Sequence, residues 1–352
     1  MPNFSEQDLR RLTNLIVRRM GSDEMEAERV TDHLVRANLA GHDSHGVGML
    51  PAYIRMLREE LLVPNQSLET VLDFGALLVF DARRGFGQNM TTQAVDHAIA
   101  RARDLGSCVL GLRNSAHIGR VGTYGEQAAQ AGMAFIGYVN VADHGDAAAP
   151  WGCAEARLGT NPFVTAVPGA DGAVLLDMAT TTIAAGKARV ARNKGNDVPD
   201  GCLLDAQGVP TNDPAPFVDD RIGALTTFGQ HKGSGLAVMC EIMASAVAGG
   251  QGAGEPGRGG VLNSMFAVLV DLDRLRGSAQ VQTGLAATLA YIRSSRPAPG
   301  FTEILLPGDP ERHATARRRT SGIPVDARSW AQILEAAGSI GLTPDALQHR
   351  AS

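Results

Sequence analysis

Five short constellations hold most of the side chains capable of chemistry in this chain. The first is His42-Asp43-Ser44-His45-Gly46, between a helix ending at Gly41 and Pro51. Two imidazoles in a glycine-flanked turn can face a cleft and exchange protons near neutral pH. The same turn also suits helix capping by Asp43 or Ser44, with both histidines in solvent. The second runs over 114–122 and contains His117, Gly119, Arg120 and Gly122 after an apolar run, 108–112. A loop leaving a strand is a common home for catalytic and cofactor groups, and its glycines let a backbone approach a ligand. The third is Leu158-Gly159-Thr160-Asn161-Pro162 with Leu175-Leu176-Asp177-Met178-Ala179-Thr180 downstream. Asp177 can orient a histidine, hydrogen-bond a cofactor, or cap a helix over 183–194. The fourth, Gln230-His231-Lys232-Gly233-Ser234-Gly235, opens a long apolar helix whose free N–H groups, with Lys232, suit a phosphate or carboxylate. The fifth is the acidic turn Leu306-Pro307-Gly308-Asp309-Pro310-Glu311.

Several chemistries find no residues to perform them. Gly252-Ala253-Gly254-Glu255-Pro256-Gly257 matches the spacing of a dinucleotide fingerprint, but a helix precedes it and Pro256 spoils the helix start that must meet the pyrophosphate. The chain carries no H-E-x-x-H, no G-x-S-x-G and no P-loop. His42, His45, His117, His144 and His231 lack partners at helical i+4 spacing, so no metal is expected. Cys108, Cys153, Cys202 and Cys240 are far apart and read as free thiols in a reducing cytoplasm.

The elements that must position these groups form a mixed α/β pattern. Leu9, Leu12, Ile16 and Met20 recur at helical spacing behind Ser5, and Val30, Leu34 and Leu39 form a second stripe. A third helix is expected over 53–61. Strands are expected at 77–81, 108–112, 134–140, 174–177 and 266–271, and helices at 91–104, 124–131, 235–248 and 281–293. The stretch 249–260 reads as a glycine-rich loop, and the tail from Ser329 as a helix that returns to the N-terminal ones. This divides the chain into a helical segment, 1–70, packing with 322–352, and a body over 71–321. With 352 residues, net charge −5 and 20% charged residues, the chain is globular and offers no basic face for nucleic acid. It shows neither an apolar signal core nor a run long enough for a membrane span.

The ordered set Asp43-Ser44-His45-Gly46-Val47 with Pro51 and Tyr53, His117-x-Gly119, Leu158-Gly-Thr-Asn-Pro162, Asp177-Met-Ala-Thr180, Gly186-Lys187 and His231-Lys-Gly233 resembles the malate/L-lactate dehydrogenase family of non-Rossmann type. Within it the likeness is greatest to the hydroxycarboxylate dehydrogenases. The resemblance implies a non-Rossmann mixed-sheet domain that binds the dinucleotide, with a helical layer formed by both chain ends, and a homodimer. It implies hydride transfer between NAD(H), with NADP as an alternative, and a 2-oxo or 2-hydroxy acid, a bulky one such as an aryl pyruvate. The imine-reducing branch of the family and a non-catalytic dinucleotide sensor share the same motifs. Carried over residue by residue, His45, His117 and Asp177 fall at the chemistry, His45 as acid/base and His117 as carbonyl polariser. The cofactor would meet His45, Gly119, Arg120, Val121, Leu176, Asp177, Met178, Ala179, Thr180, Lys232, Asn263, Gly308, Asp309, Pro310 and Glu311. One departure stands out. Much of the family has an arginine four residues after the histidine of Asp-Ser-His-Gly, and this chain has Met49. A thioether cannot form the bidentate pair that arginine makes with a carboxylate, and Arg120 is the expected substitute.

Overall fold

The computed structural model describes residues 2–143, 145–343 and 347. Ser5 accepts a hydrogen bond from the Asp8 amide and starts α1 (Glu6–Arg19); Asp23 does the same for α2 (Glu24–Leu39) through Glu26. Their apolar stripes bury Leu9, Leu12 and Ile16 against Val30 and Leu34. The short α3 (Leu50–Arg58) follows with Pro51 in its first turn. From the far end of the chain, Ile333 and Ala337 enter the same core, and residues Asn3–Phe4 pair antiparallel with Ile323–Pro324. Both chain ends therefore build one helical layer.

The body is a seven-stranded mixed sheet. Its strands are β1 (Glu69–Phe74), β2 (Leu77–Asp81), β3 (Ser107–Ala116), β4 (Met133–Ala142), β5 (Phe163–Val167), β6 (Val174–Met178) and β7 (Leu262–Asp271), in spatial order β1-β2-β3-β7-β4-β5-β6. Among these pairs only β2 and β3 run parallel, and α4 (Gly87–Leu105) supplies the crossover that a parallel pair needs. One face of the sheet buries Leu110, Leu112, Phe135, Val164 and Leu269 under α4 and α5 (Gly122–Gln130). Gly111 points to the other face and meets Ala248, at the end of the π-helical turns Met243–Val247 that continue α6 (His231–Ile242). A third, smaller core joins Ala188, Val198, Cys202, Leu203 and Leu225 around the short helix Ala185–Lys194.

The differences from the sequence expectation have local causes. Strand β1 shows no apolar alternation because all six of its residues are exposed. Strand β3 extends to Ala116, so Asn114 lies within it, in left-handed conformation (φ 54°), and the loop begins only at His117. The helix α7 (Asp309–Ser321) has no apolar stripe to reveal it, since only Asp309 and Ala314 are buried along its length.

Candidate functional site

The His42–Gly46 turn is clamped from two sides. Asn38, at the end of α2, donates to Asp43 Oδ1 at 2.7 Å and accepts from the Val47 amide at 2.8 Å. Arg318 of α7 grips Asp43 with both Nη atoms, at 2.5 and 2.9 Å. A Cβ on Gly46 would run into the Asn38 amide, so glycine is required for this approach. Two turns earlier on α7, Glu311 Oε1 lies 3.1 Å from His42 Nε2. These contacts turn His45 away from solvent into a half-buried position with Ser44 Oγ 3.0 Å from its Nδ1.

His117, at the start of the loop after β3, lies parallel to His45 with ring centroids 5.7 Å apart and 18° between planes. Its Nδ1 is 2.8 Å from Tyr53 Oη, and Gln88 Nε2 donates to the same oxygen at 2.6 Å. Helices α3 and α4 thus hold the ring through a buried phenol. Burial pushes His45 down to about 4; His42, Arg120 and Arg189 push the same way, and Asp177 opposes them.

The loop continues through Gly119 and Arg120. Gly119 adopts φ +73° directly against the His33 ring, and His33 Nε2 accepts the Arg120 amide at 2.8 Å. Burial opposes the Arg120 charge, but Glu126 and Asp177 outweigh it and hold the guanidinium charged. Arg120 Nη1 donates to Glu126 Oε1 at 2.8 Å, and its Nε is 3.3 Å from Asp177 Oδ2. Its Nη2 is buried without a hydrogen-bond partner. Gly122 opens α5 so close to Asp177 that a Cβ there would lie 2.5 Å from Oδ2. Asp177 is therefore a strand residue aimed at Arg120. It caps no helix, since the following helix starts at Ala185 with Ala184 at its cap position.

The expected residues divide by what their side chains do. His45, His117, Asp177 and Arg120 converge, and Glu311 adds its charge near Arg120. A cavity of about 420 Å³ opens beside them, lined by Arg120, Leu175, Gly308 and Glu311 among others. Val121 is buried in the sheet core, so only its backbone faces the loop. Along β6 the side chains alternate: Leu175 and Asp177 share the α5 side, so Leu176 and Met178 point to the opposite one. Ala179 follows the strand, and Thr180 Oγ1 donates to the carbonyls of Thr160 and Asn161. The Asp309 carboxylate is consumed within the protein by the Leu306 amide, Arg312 and Arg293, and those bonds outweigh burial to bring it down to about 2. Gly308, Asp309 and Pro310 can thus meet a ligand only as backbone at the start of α7. Asn263 spends both side-chain ends inside, accepting from the Ile118 amide at 3.0 Å and donating to the Asn140 carbonyl at 2.8 Å. Lys232 stands exposed in the first turn of α6, and the loop before that helix bonds back to Thr180 through the Phe228 amide.

Sequence reasoning missed His33, Gln88 and Glu126, and it gave Tyr53 no role. A signal for Gln88 exists: an amide that follows Phe86-Gly87 at the head of an apolar helix invites the question of what it bonds. Among the described residues no three of histidine, cysteine, aspartate and glutamate gather as metal ligands; His144 lies outside those residues. No helix there is long and apolar enough to cross a membrane.

Residues 4–334 match the family model described as malate/L-lactate dehydrogenase. The chain is 41% identical over 350 residues to hydroxycarboxylate dehydrogenase B of Escherichia coli (strain K12), covering 98% of this chain and 96% of the relative. It is 37% identical over 325 residues to an L-lactate dehydrogenase of Cupriavidus necator, covering 90% and 91% respectively. Among solved structures, the sulfolactate dehydrogenase of Methanocaldococcus jannaschii superimposes with a TM-score of 0.86 at 32% identity, over 97% of this chain and 98% of that one.

Proposed function

Because the chain belongs to the malate/L-lactate dehydrogenase family, and so to the oxidoreductases of hydroxy acids, we propose that it moves a hydride between NAD(H) and a 2-oxo/2-hydroxy carboxylic acid, with bulky acids such as aryl pyruvates as substrates. The observation that carries this reading is the stacked pair of His45 and His117, each with a hydroxyl on Nδ1, beside a buried Arg120–Asp177 pair.

The residues present fit a dinucleotide. The cavity beside Arg120 is bounded by the start of α7 at Gly308 and Glu311, and the buried Nη2 of Arg120 has its hydrogen-bonding capacity unspent. The backbone of Gly119 to Val121 and of Gly308 to Glu311, with Arg120 itself, would hold the cofactor, which supplies the hydride when bound. The protein supplies the proton and its placement. Held down to about 4, His45 is neutral at physiological pH. With Ser44 donating to Nδ1, its Nε2 carries the hydrogen and can donate to the substrate oxygen. This reverses the roles expected from the resemblance: His45 polarises, and His117 exchanges the proton. Tyr53 Oη can donate to the neutral His117 ring or accept from the charged one, so the ring stays held in both states.

The homodimer belongs to the same proposal. The helix Ser278–Arg293 buries none of its residues although much of it is apolar; its Tyr291 is exposed by 81%, and Phe301 and Leu275 on either side of it by 70% and 68%. A second copy covering this face accounts for it. Light scattering of the purified chain should give twice the monomer mass, and the monomer mass would refute it. Free thiols at all four cysteines support the cytoplasm as its location.

The test is loss of 340 nm absorbance with EDTA-treated protein, offering NADH and NADPH separately against phenylpyruvate, pyruvate, oxaloacetate and a cyclic imine. Aryl pyruvate turnover with NADH supports the reading. Turnover of the imine alone moves the chain to the imine-reducing branch, and binding of NADH with no turnover makes it a sensor.

A further inference from the structure

We propose that Arg189, on the helix Ala185–Lys194, is the cation that binds the substrate carboxylate; this rests on the hydroxy-acid reading above. A 2-oxo acid brings a full negative charge next to the carbonyl that His45 and His117 serve, and that charge needs a partner when it leaves water. Arg120 is near, but its charge is already balanced by two carboxylates, Glu126 at 2.8 Å and Asp177 at 3.3 Å, and its free nitrogen is assigned above to the cofactor. Met49, at the head of α3, has no charge to offer.

Arg189 is placed to serve. Its helix seats on the His45 turn through Gly186, where any Cβ would collide with the Ser44 side chain. Arg189 follows Gly186 by three residues and so shares the helix face that meets that turn. Its charge reaches His45, and no hydrogen bond or ion pair engages its guanidinium among the described residues. By contrast, Arg192 of the same helix is paired with Asp219 at 2.7 Å. The Arg189 side chain is exposed and lines a cavity of about 590 Å³ with Gly48, Pro51 and Ala52 from the head of α3. That helix carries Tyr53, the residue bonded to His117. The cavity thus opens at the head of α3, where the chain leaves the His45 turn, and is roomy enough for a bulky substituent; Glu59 and Glu335 also line it, but no ion pair joins either of them to Arg189 among the described residues. Of the two α3 arginines on this cavity, Arg55 is spent on Glu59 and Arg58 stands at the far end of the helix, away from the His45 turn.

The experiment compares wild type, Arg189→Ala and Arg189→Lys in NADH-dependent reduction of phenylpyruvate and of its methyl ester, together with NADH affinity by fluorescence titration. Losing a charge-assisted contact should raise the KM for the acid by about 10- to 100-fold in Arg189→Ala, with kcat changed far less. NADH affinity should hold, and Arg189→Lys should recover part of the loss. The wild-type preference for acid over ester should fall by the same factor, an effect that a merely structural role would not produce. Unchanged KM and unchanged preference overturn the inference. So does an NADH affinity weakened by the same factor, which would put Arg189 on the cofactor. A wild type silent on every 2-oxo acid refutes the hydroxy-acid reading itself, whereas an active wild type with an indifferent Arg189→Ala refutes only this assignment.

Discussion

Replacing Tyr53 with phenylalanine isolates one hydroxyl. Tyr53 is fully buried and meets Phe86 edge-on at 6.0 Å, so phenylalanine keeps the ring packing. What disappears is the oxygen that joins Gln88 to His117, at 2.6 and 2.8 Å. Gln88 is buried and its Oε1 already lacks a partner, so the variant strands its amide nitrogen as well. A stranded buried donor costs about 1–3 kcal/mol, and the melting temperature should drop accordingly. The kinetic effect has a ceiling, because a positioned acid/base is worth roughly 10²–10⁴ in rate. An orienting hydroxyl can remove only part of that. We expect kcat to fall about 10- to 100-fold, or about 1.4–2.8 kcal/mol of barrier, and less than in His117→Gln. Single-turnover reduction followed at 340 nm separates this from product release. If the variant loses stability while kcat stays within roughly twofold of wild type, the phenol only packs, and the role given to His117 fails with it.

In Gly122→Ala the new methyl would stand 2.5 Å from Asp177 Oδ2 and 2.9 Å from its Cγ, forcing Asp177 off Arg120. The variant should lose about 1–3 kcal/mol of stability and bind NADH more weakly by fluorescence titration, and unchanged affinity would detach the Arg120–Asp177 pair from the cofactor. Acid should destabilise the protein through His33 and His45. Burial lowers both, so the unfolded chain takes up their protons first as pH falls below about 6.5. Stability is then complete above that pH and is lost as pH falls toward the folded values, about 4 for His45. Melting temperatures measured from pH 7 to pH 4.5 should fall, less steeply in His33→Gln; an equal slope would mean that His33 carries none of the effect.

What the sequence disclosed and what it withheld divide along the range of the interactions. The helix start at Ser5 and the strand at 77–81 are local, and they appear in the structure as read. The resemblance placed His45 and His117 together, but the contacts that give them different jobs join residues far apart in the chain. Tyr53 and His117 are separated by 64 positions, and Arg120 finds His33 across 87. No periodicity encodes such a pairing, since its energy exists only once the layer built from the chain ends has docked on the sheet.

Asn263 makes the point from the other direction. Its residue type and place suit a ligand, yet both ends of its amide are spent joining the Ile118 amide to the Asn140 carbonyl. Asn140 in turn donates to the buried Glu241 at 3.0 Å, and Glu241 accepts from Asn161 at 2.8 Å and from the Ala253 amide at 2.8 Å. This chain of bonds runs from the residue after His117, through the glycine-rich loop, to the turn whose carbonyls hold Thr180. A buried carboxylate with three donors is costly to disturb and hard to move. The polar residues that looked like ligands in the sequence therefore include the struts that keep the histidine loop where a ligand can use it.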